Sequence, residues 1–203
     1  MFNSFEIVYY IHMLAFKKKY YLFIDNTREF NLNIIKIRKK FSIIYRNKSH
    51  KEKIEDLVNF RKICKKNSID FYVANDTNLL FKLRADGLYI SAYNKNLLLR
   101  SYSQKGFEII GSAHNQKEIE LKVKQGCKTI IYSRLFRTNY HYKKGHLGVQ
   151  RFNIVSLRSK LDLVPLGGIN ETNLNKLNNV ISNSFACLSA LKKKPAKLIN
   201  RLF

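Results

Sequence analysis

The sequence predicts one (β/α)8 barrel, a TIM barrel, of a single compact domain. Three observations carry this expectation. Eight short apolar, β-branched or aromatic runs recur at intervals of about 20 to 30 residues, and most are separated by stretches with helical spacing and basic, polar faces. Strands that alternate with helices pair in parallel. The rival, an open doubly wound sheet, is expected to carry a glycine-rich turn after its first strand, and here that turn is Asp25-Asn26-Thr27-Arg28.

In chain order, the runs are Tyr20 to Ile24, Phe41 to Tyr45, Asp70 to Ala74, Gly87 to Ile90, Glu108 to Gly111, Thr129 to Tyr132, Leu161 to Leu166 and Phe185 to Leu188. Between the second and third, Lys51 to Lys66 reads as a helix with Ile54, Leu57, Val58 and Ile63 on one face. After the fifth, Gln116 to Gln125 repeats the habit with Ile119, Leu121 and Val123. The cap-type residues Asn170-Glu171-Thr172-Asn173 open a further helix. Residues 1–19 read as a leading helix, 20–191 as the barrel and 192–203 as a basic tail or helix. The chain has two prolines, Pro165 and Pro195, and eight glycines, with no linker-like tract at which to divide 1–203 into two domains.

With 203 residues, 45% of them hydrophobic, the chain can bury a sizeable core without disulfides. Cys64, Cys127 and Cys187 form no CxxC pair, which favours a reducing cytoplasm. The apolar opening is interrupted by Asn3, Glu6 and His12, and its basic cluster, Lys17 to Lys19, follows the apolar part, the reverse of secretory order. No apolar run approaches the roughly 20 residues of a membrane span.

The net charge of +24 invites a nucleic-acid reading. Lys, Asn, Ile, Tyr and Phe are abundant together, as A- and T-rich codons dictate, and the lysines are spread along the whole chain. The field would draw phosphorylated small molecules in any case. A basic nucleic-acid-binding domain therefore stands as the third reading, and a homo-oligomer stays open.

In a barrel of this kind the functional groups sit on the loops at the carboxyl ends of the strands. The runs are followed in turn by Asp25; Arg46 and Lys48; Asn75 and Asp76; Ser91 and Asn94; Ser112 and His114; Arg134 and Thr138; Gly167 and Gly168; and Ser189. Turns favour Asn, Asp, Ser and Gly on their own account, but Arg46, Lys48 and His114 are not turn formers. The glycine pair lets backbone N–H groups approach a phosphate, with the following helix N-terminus adding its partial positive charge, and Ser189-Ala190 completes such a pocket.

At these residues the sequence resembles the thiamine phosphate synthase and TenI family of barrels, from about Tyr20 to Leu191. Five segments carry the resemblance: Tyr45-Arg46-Asn47-Lys48; Asn75-Asp76 with Ala85-Asp86-Gly87; Ile109 to His114; Leu166-Gly167-Gly168-Ile169 with Asn173; and Ala186 to Leu191. It implies transfer of a hydroxymethylpyrimidine group from its pyrophosphate to a thiazole phosphate, giving thiamine phosphate. Arg46 and Lys48 would clamp the departing pyrophosphate, and Ser112 and Asn75 would supply hydrogen bonds. Asp76 would hold Mg²⁺, with the second metal position at Asn94. Thr138, His141 and His114 would contact substrate, and Gly167, Gly168, Leu188 and Ser189 would grip the thiazole phosphate. The chain departs from the family pattern at Ile44, where the family has glutamine, at Asn94, where it has aspartate, and across Ser133 to His141. These departures keep a second reading alongside the transferase, a TenI-like or other non-synthase member that binds a phosphorylated thiazole or thiamine compound.

Overall fold

The computed structural model describes residues 19–29, 31–32, 38–47, 52–138, 145–170 and 172–187. Of the expected leading helix, 1–18 lie outside the described residues and Lys19 opens the first strand instead; the basic tail lies outside them too, as do Lys48, His141, Leu188 and Ser189. Eight strands close into a barrel in the order β1 to β8, and every neighbouring pair is parallel, β1 closing on β8.

The strands are β1 (Lys19–Ile24), β2 (Phe41–Tyr45), β3 (Asp70–Ala74), β4 (Gly87–Ile90), β5 (Glu108–Ala113), β6 (Thr129–Ser133), β7 (Asp162–Leu166) and β8 (Ser184–Cys187). Five α-helices are described: α1 (Ile54–Lys66), α2 (Thr77–Lys82), α3 (Arg100–Gln104), α4 (Gln116–Lys124) and α5 (Gly148–Arg158). The helix expected after Asn173 is a 3-10 helix, Leu174–Asn179. Asp76 and Asn115 start α2 and α4 by accepting the N–H groups of Leu79 and Glu118, which relieves one of the orphan donors at each helix start.

Strand alternation divides the core into two layers. Tyr21, Phe23, Ile44, Tyr72, Tyr89, Ile110, Ile131, Val164, Leu166 and Ala186 pack together inside the barrel. The other parity, including Tyr20, Leu22, Phe41, Ile43 and Phe71, packs outward with Leu57, Phe60 and Cys64 of α1 and Phe152 of α5. Each buried apolar side chain of this size contributes about 1.5–3 kcal/mol.

Two helix faces differ from expectation. In α1 the buried residues are Leu57, Phe60, Arg61 and Cys64, while Ile54 and Ile63 face solvent. Arg61 can be buried because its guanidinium reaches Asp86 at 2.7 Å and the Arg84 carbonyl. Asp86 in turn accepts from the Phe71 N–H, pinning the β3–β4 connection to α1. In α4 the buried pair is Ile119 and Lys122, and Val123 is exposed. Positions 119, 121 and 123 alternate as a strand would, whereas 119 and 122 share a helical face.

Candidate active site at the carboxyl mouth

Arg46 leaves the end of β2, its N–H donating to the Ile24 carbonyl at 2.8 Å. Its guanidinium carbon sits 5.1 Å from the centre of the Phe23 ring, a cation–π contact that orients the side chain. Its Nε is buried and has no hydrogen-bond partner among the described residues. A buried donor left unpaired costs about 1–3 kcal/mol.

Tyr89, inward-facing on β4, lies beside this cation. Burial raises its phenol, and the raising is opposed by a hydrogen bond with Ser112 and by the charge of Arg46. The phenol therefore stays protonated, and Arg46, Tyr89 and Ser112 form one cluster of a cation and two hydroxyls. Arg46 and Ser112 were legible as strand-end residues. Tyr89 and Phe23 were not, and the available signal was that both fall on the inward parity one turn of pleat below the strand ends.

Asn75 is held in the left-handed region at φ 58°, which Asn tolerates better than most residues. It binds the loop after β4 through both ends of its amide. Nδ2 donates to Ser91 Oγ at 2.8 Å and to the Tyr93 hydroxyl at 3.3 Å. Oδ1 accepts from the Ser91 N–H at 3.1 Å and from Asn94 Nδ2 at 3.0 Å. Asn75 thus acts first as a strut between β3 and β4.

The two residues expected to hold Mg²⁺ are engaged differently. Asp76 is exposed and caps α2 through Oδ1 at 2.9 Å. Asn94 accepts the Asn96 N–H through Oδ1 at 3.0 Å while its nitrogen binds Asn75. Among the described residues no three His, Cys, Asp or Glu side chains gather as a metal site. One capping carboxylate and one engaged amide fit poorly to a hard cation that seeks carboxylate oxygens.

Gly167 and Gly168 both take positive φ, 102° and 69°. A Cβ on Gly168 would fall 2.4 Å from the Arg137 carbonyl oxygen and 2.6 Å from the Phe136 backbone. The pair therefore lets the loop after β6 lie directly on the loop after β7, a closeness fixed by Phe136 N–H donating to the Gly167 carbonyl at 3.0 Å. Asn173 Nδ2 secures the Gly168 carbonyl at 2.7 Å. The expected α-helix dipole is not part of this turn, because the following helix is 3-10 and begins only at Leu174.

Across the same junction Arg134 donates to Thr138 Oγ1 at 3.0 Å. His114 turns toward α4, where Nδ1 lies 2.9 Å from Glu118 Oε2. It also lines a cavity of about 320 Å³ with Ser133, Arg134 and His146. His114 is thus a rim residue rather than a member of the Arg46 cluster.

Fold and mouth together define a (β/α)8 barrel whose strand-end loops bring a cation and hydrogen-bonding groups to the carboxyl mouth. The family model described as thiamine monophosphate synthase matches residues 19–191, and the chain belongs to that family. It is 27% identical over 142 residues to the thiamine-phosphate synthase of Prochlorococcus marinus subsp. pastoris, covering 70% of this chain and 40% of that protein. The chain thus spans well under half the length of that relative. It is 26% identical to the thiamine-phosphate synthase of Clostridium perfringens, covering 86% of this chain and 88% of that one. The thiamine phosphate pyrophosphorylase from Pyrococcus furiosus superposes with a TM-score of 0.67 at 17% identity, covering 93% of this chain and 97% of that one. No helix among the described residues is long and apolar enough to cross a membrane.

Proposed function

We propose that the chain is a thiamine phosphate synthase-type transferase, joining hydroxymethylpyrimidine pyrophosphate to a thiazole phosphate with release of pyrophosphate. The observation that carries this reading is the Arg46, Tyr89 and Ser112 cluster, in which a cation with an unpaired buried N–H stands beside two hydroxyls. Such a cluster suits a leaving group whose negative charge grows as its bond breaks.

In this mechanism the bond between the pyrimidine methylene and pyrophosphate breaks, its electron pair departs with the pyrophosphate, and the thiazole nitrogen donates a lone pair to the carbocation-like methylene. Arg46 holds the departing charge, with Lys48 as its expected partner, and Ser112 and Tyr89 direct hydroxyls beside it. Gly167 and Gly168, with Leu188 and Ser189, are assigned to the thiazole phosphate, and Thr138 and His141 to substrate. Asp76 is the carboxylate on which Mg²⁺ binding would rest. The donor set, one capping carboxylate and one engaged amide, fits that ion poorly.

The test is to incubate the purified chain with both substrates and Mg²⁺. Formation of thiamine phosphate with equal pyrophosphate supports the reading, and none at high enzyme concentration rejects it. Ile44, fully buried where the family has glutamine, favours a second reading in which a phosphorylated thiazole is bound without transfer. Calorimetric binding of thiazole phosphate in a protein that forms no product would select it.

A further inference from the structure

Lys122 is fully buried on α4, and its ammonium points beneath the loop after β4 rather than to solvent. All three of its protons are used: they go to the carbonyls of Ser91 at 2.8 Å and Asn94 at 2.9 Å, and to Gln125 Oε1 at 2.8 Å. Gln125, also fully buried, donates its own amide protons to the carbonyls of Asn94 at 3.0 Å and Asn96 at 2.9 Å. Room for the lysine stem comes from Gly111 on β5, where a Cβ would lie 2.9 Å from Lys122 Cγ. No carboxylate forms an ion pair with this ammonium among the described residues.

Burying an unpaired ammonium is costly, so solvation by three oxygens, one for each proton, has to be close to complete for the fold to tolerate it. What it gains is a loop held from below. The carbonyls of Ser91, Asn94 and Asn96 are drawn inward to Lys122 and Gln125, while the side chains of Ser91 and Asn94 meet Asn75 on the mouth side. This is the loop on which the expected second metal ligand, Asn94, falls, and where the donor set fits Mg²⁺ poorly.

We infer that Lys122 is a positioning residue that, with Gln125, fixes the Ser91–Asn96 loop from within the protein, so that the mouth is organised for its anionic ligand by an internal cation rather than by a bound metal. The inference rests on the proposed transferase reading for the identity of that ligand, but not for the loop mechanism. The residue acts through the loop and not on the reacting atoms.

The experiment compares the full chain with Lys122→Met and Gln125→Leu, and with Phe152→Leu as a core variant remote from the mouth. Amide hydrogen exchange is followed along the chain, and binding of inorganic pyrophosphate is measured calorimetrically in EDTA and in Mg²⁺. The wild-type chain should bind pyrophosphate in EDTA within a fewfold of its affinity in Mg²⁺. Lys122→Met should accelerate exchange in residues 91–96 at least about tenfold more than in α5, and weaken pyrophosphate binding about tenfold, the loss expected from about 1.4 kcal/mol. If that variant does not fold, Gln125→Leu, which keeps the ammonium and removes two carbonyl ties, should show the same selective pattern at smaller size. Phe152→Leu should lower stability without either effect. Uniform exchange across the barrel, unchanged pyrophosphate affinity, or wild-type binding that requires Mg²⁺ would each overturn the inference. Failure to form thiamine phosphate with these loop effects intact would reject the transferase reading alone.

Discussion

At the amino end of the barrel, charges and hydroxyls are matched to one another. Lys19 meets Asp70 at 2.8 Å, Ser42 donates to the same carboxylate at 3.4 Å, and the Tyr72 hydroxyl donates to Glu108 at 2.6 Å. Burial and the nearby Glu108 raise the Tyr72 phenol, so it remains a donor throughout the physiological range. At the carboxyl end Arg46 has no ion pair among the described residues, and its Nε is buried without a partner. The same barrel thus closes one end with satisfied pairs and leaves the other with a cation oriented by Phe23 but unneutralised. Matched pairs hold the strands together, whereas in the proposed transferase the unmatched cation is what a phosphorylated ligand would complete.

Substitutions at the two ends should therefore separate activity from stability. Arg46→Ala is expected to lower kcat/KM for transfer by about 10²–10³, the usual loss on removing one charge-stabilising donor. Its thermal midpoint should stay close to wild type, since no ion pair is broken. Gly168→Ala places a methyl against Phe136 and Arg137 at positive φ. It should cost about 2 kcal/mol by denaturant titration and raise the KM for thiazole phosphate more than it changes kcat. Tyr72→Phe removes the donor to Glu108 and should cost about 1 kcal/mol, lowering the thermal midpoint by about 2–4 °C with kcat/KM unchanged.

The smallest effect concerns pH. Burial lowers the Lys122 ammonium to about 8, with Cys127 and Glu118 acting in the opposite direction. Between that value and the ordinary lysine value of about 10.4 the unfolded chain binds the additional proton, so stability rises with pH through this window. Measured against Lys122→Met, the wild-type midpoint should gain between pH 8 and pH 10. A flat difference would contradict the buried-cation account.

Much of this architecture was legible because strand runs in a closed parallel barrel are apolar on both faces. All eight lie where the apolar runs predict, with β5 and β6 extending to Ala113 and Ser133. Arg46 and Ser112 were readable from their places after strand runs. Helix faces were less legible: α1 carries apolar residues around much of its circumference, and only the sheet's position decides that Phe60 and Cys64 go inside while Ile63 does not. Lys122 was illegible for a related reason. Among Lys117, Lys124 and Lys128 it looks like one more solvated lysine, and its burial depends on Gly111, an adjacent strand's missing side chain. The glycine pair was read as a phosphate cradle, and loop packing against Phe136 is a second demand on the same residues that spacing alone does not reveal.

The most direct test of the division between the two ends is to measure transfer kinetics and thermal midpoints for wild type, Arg46→Ala and Tyr72→Phe side by side. The account predicts that Arg46→Ala loses transfer with an unchanged midpoint, and that Tyr72→Phe loses a few degrees with full transfer. An Arg46→Ala protein that transfers at the wild-type rate would contradict it.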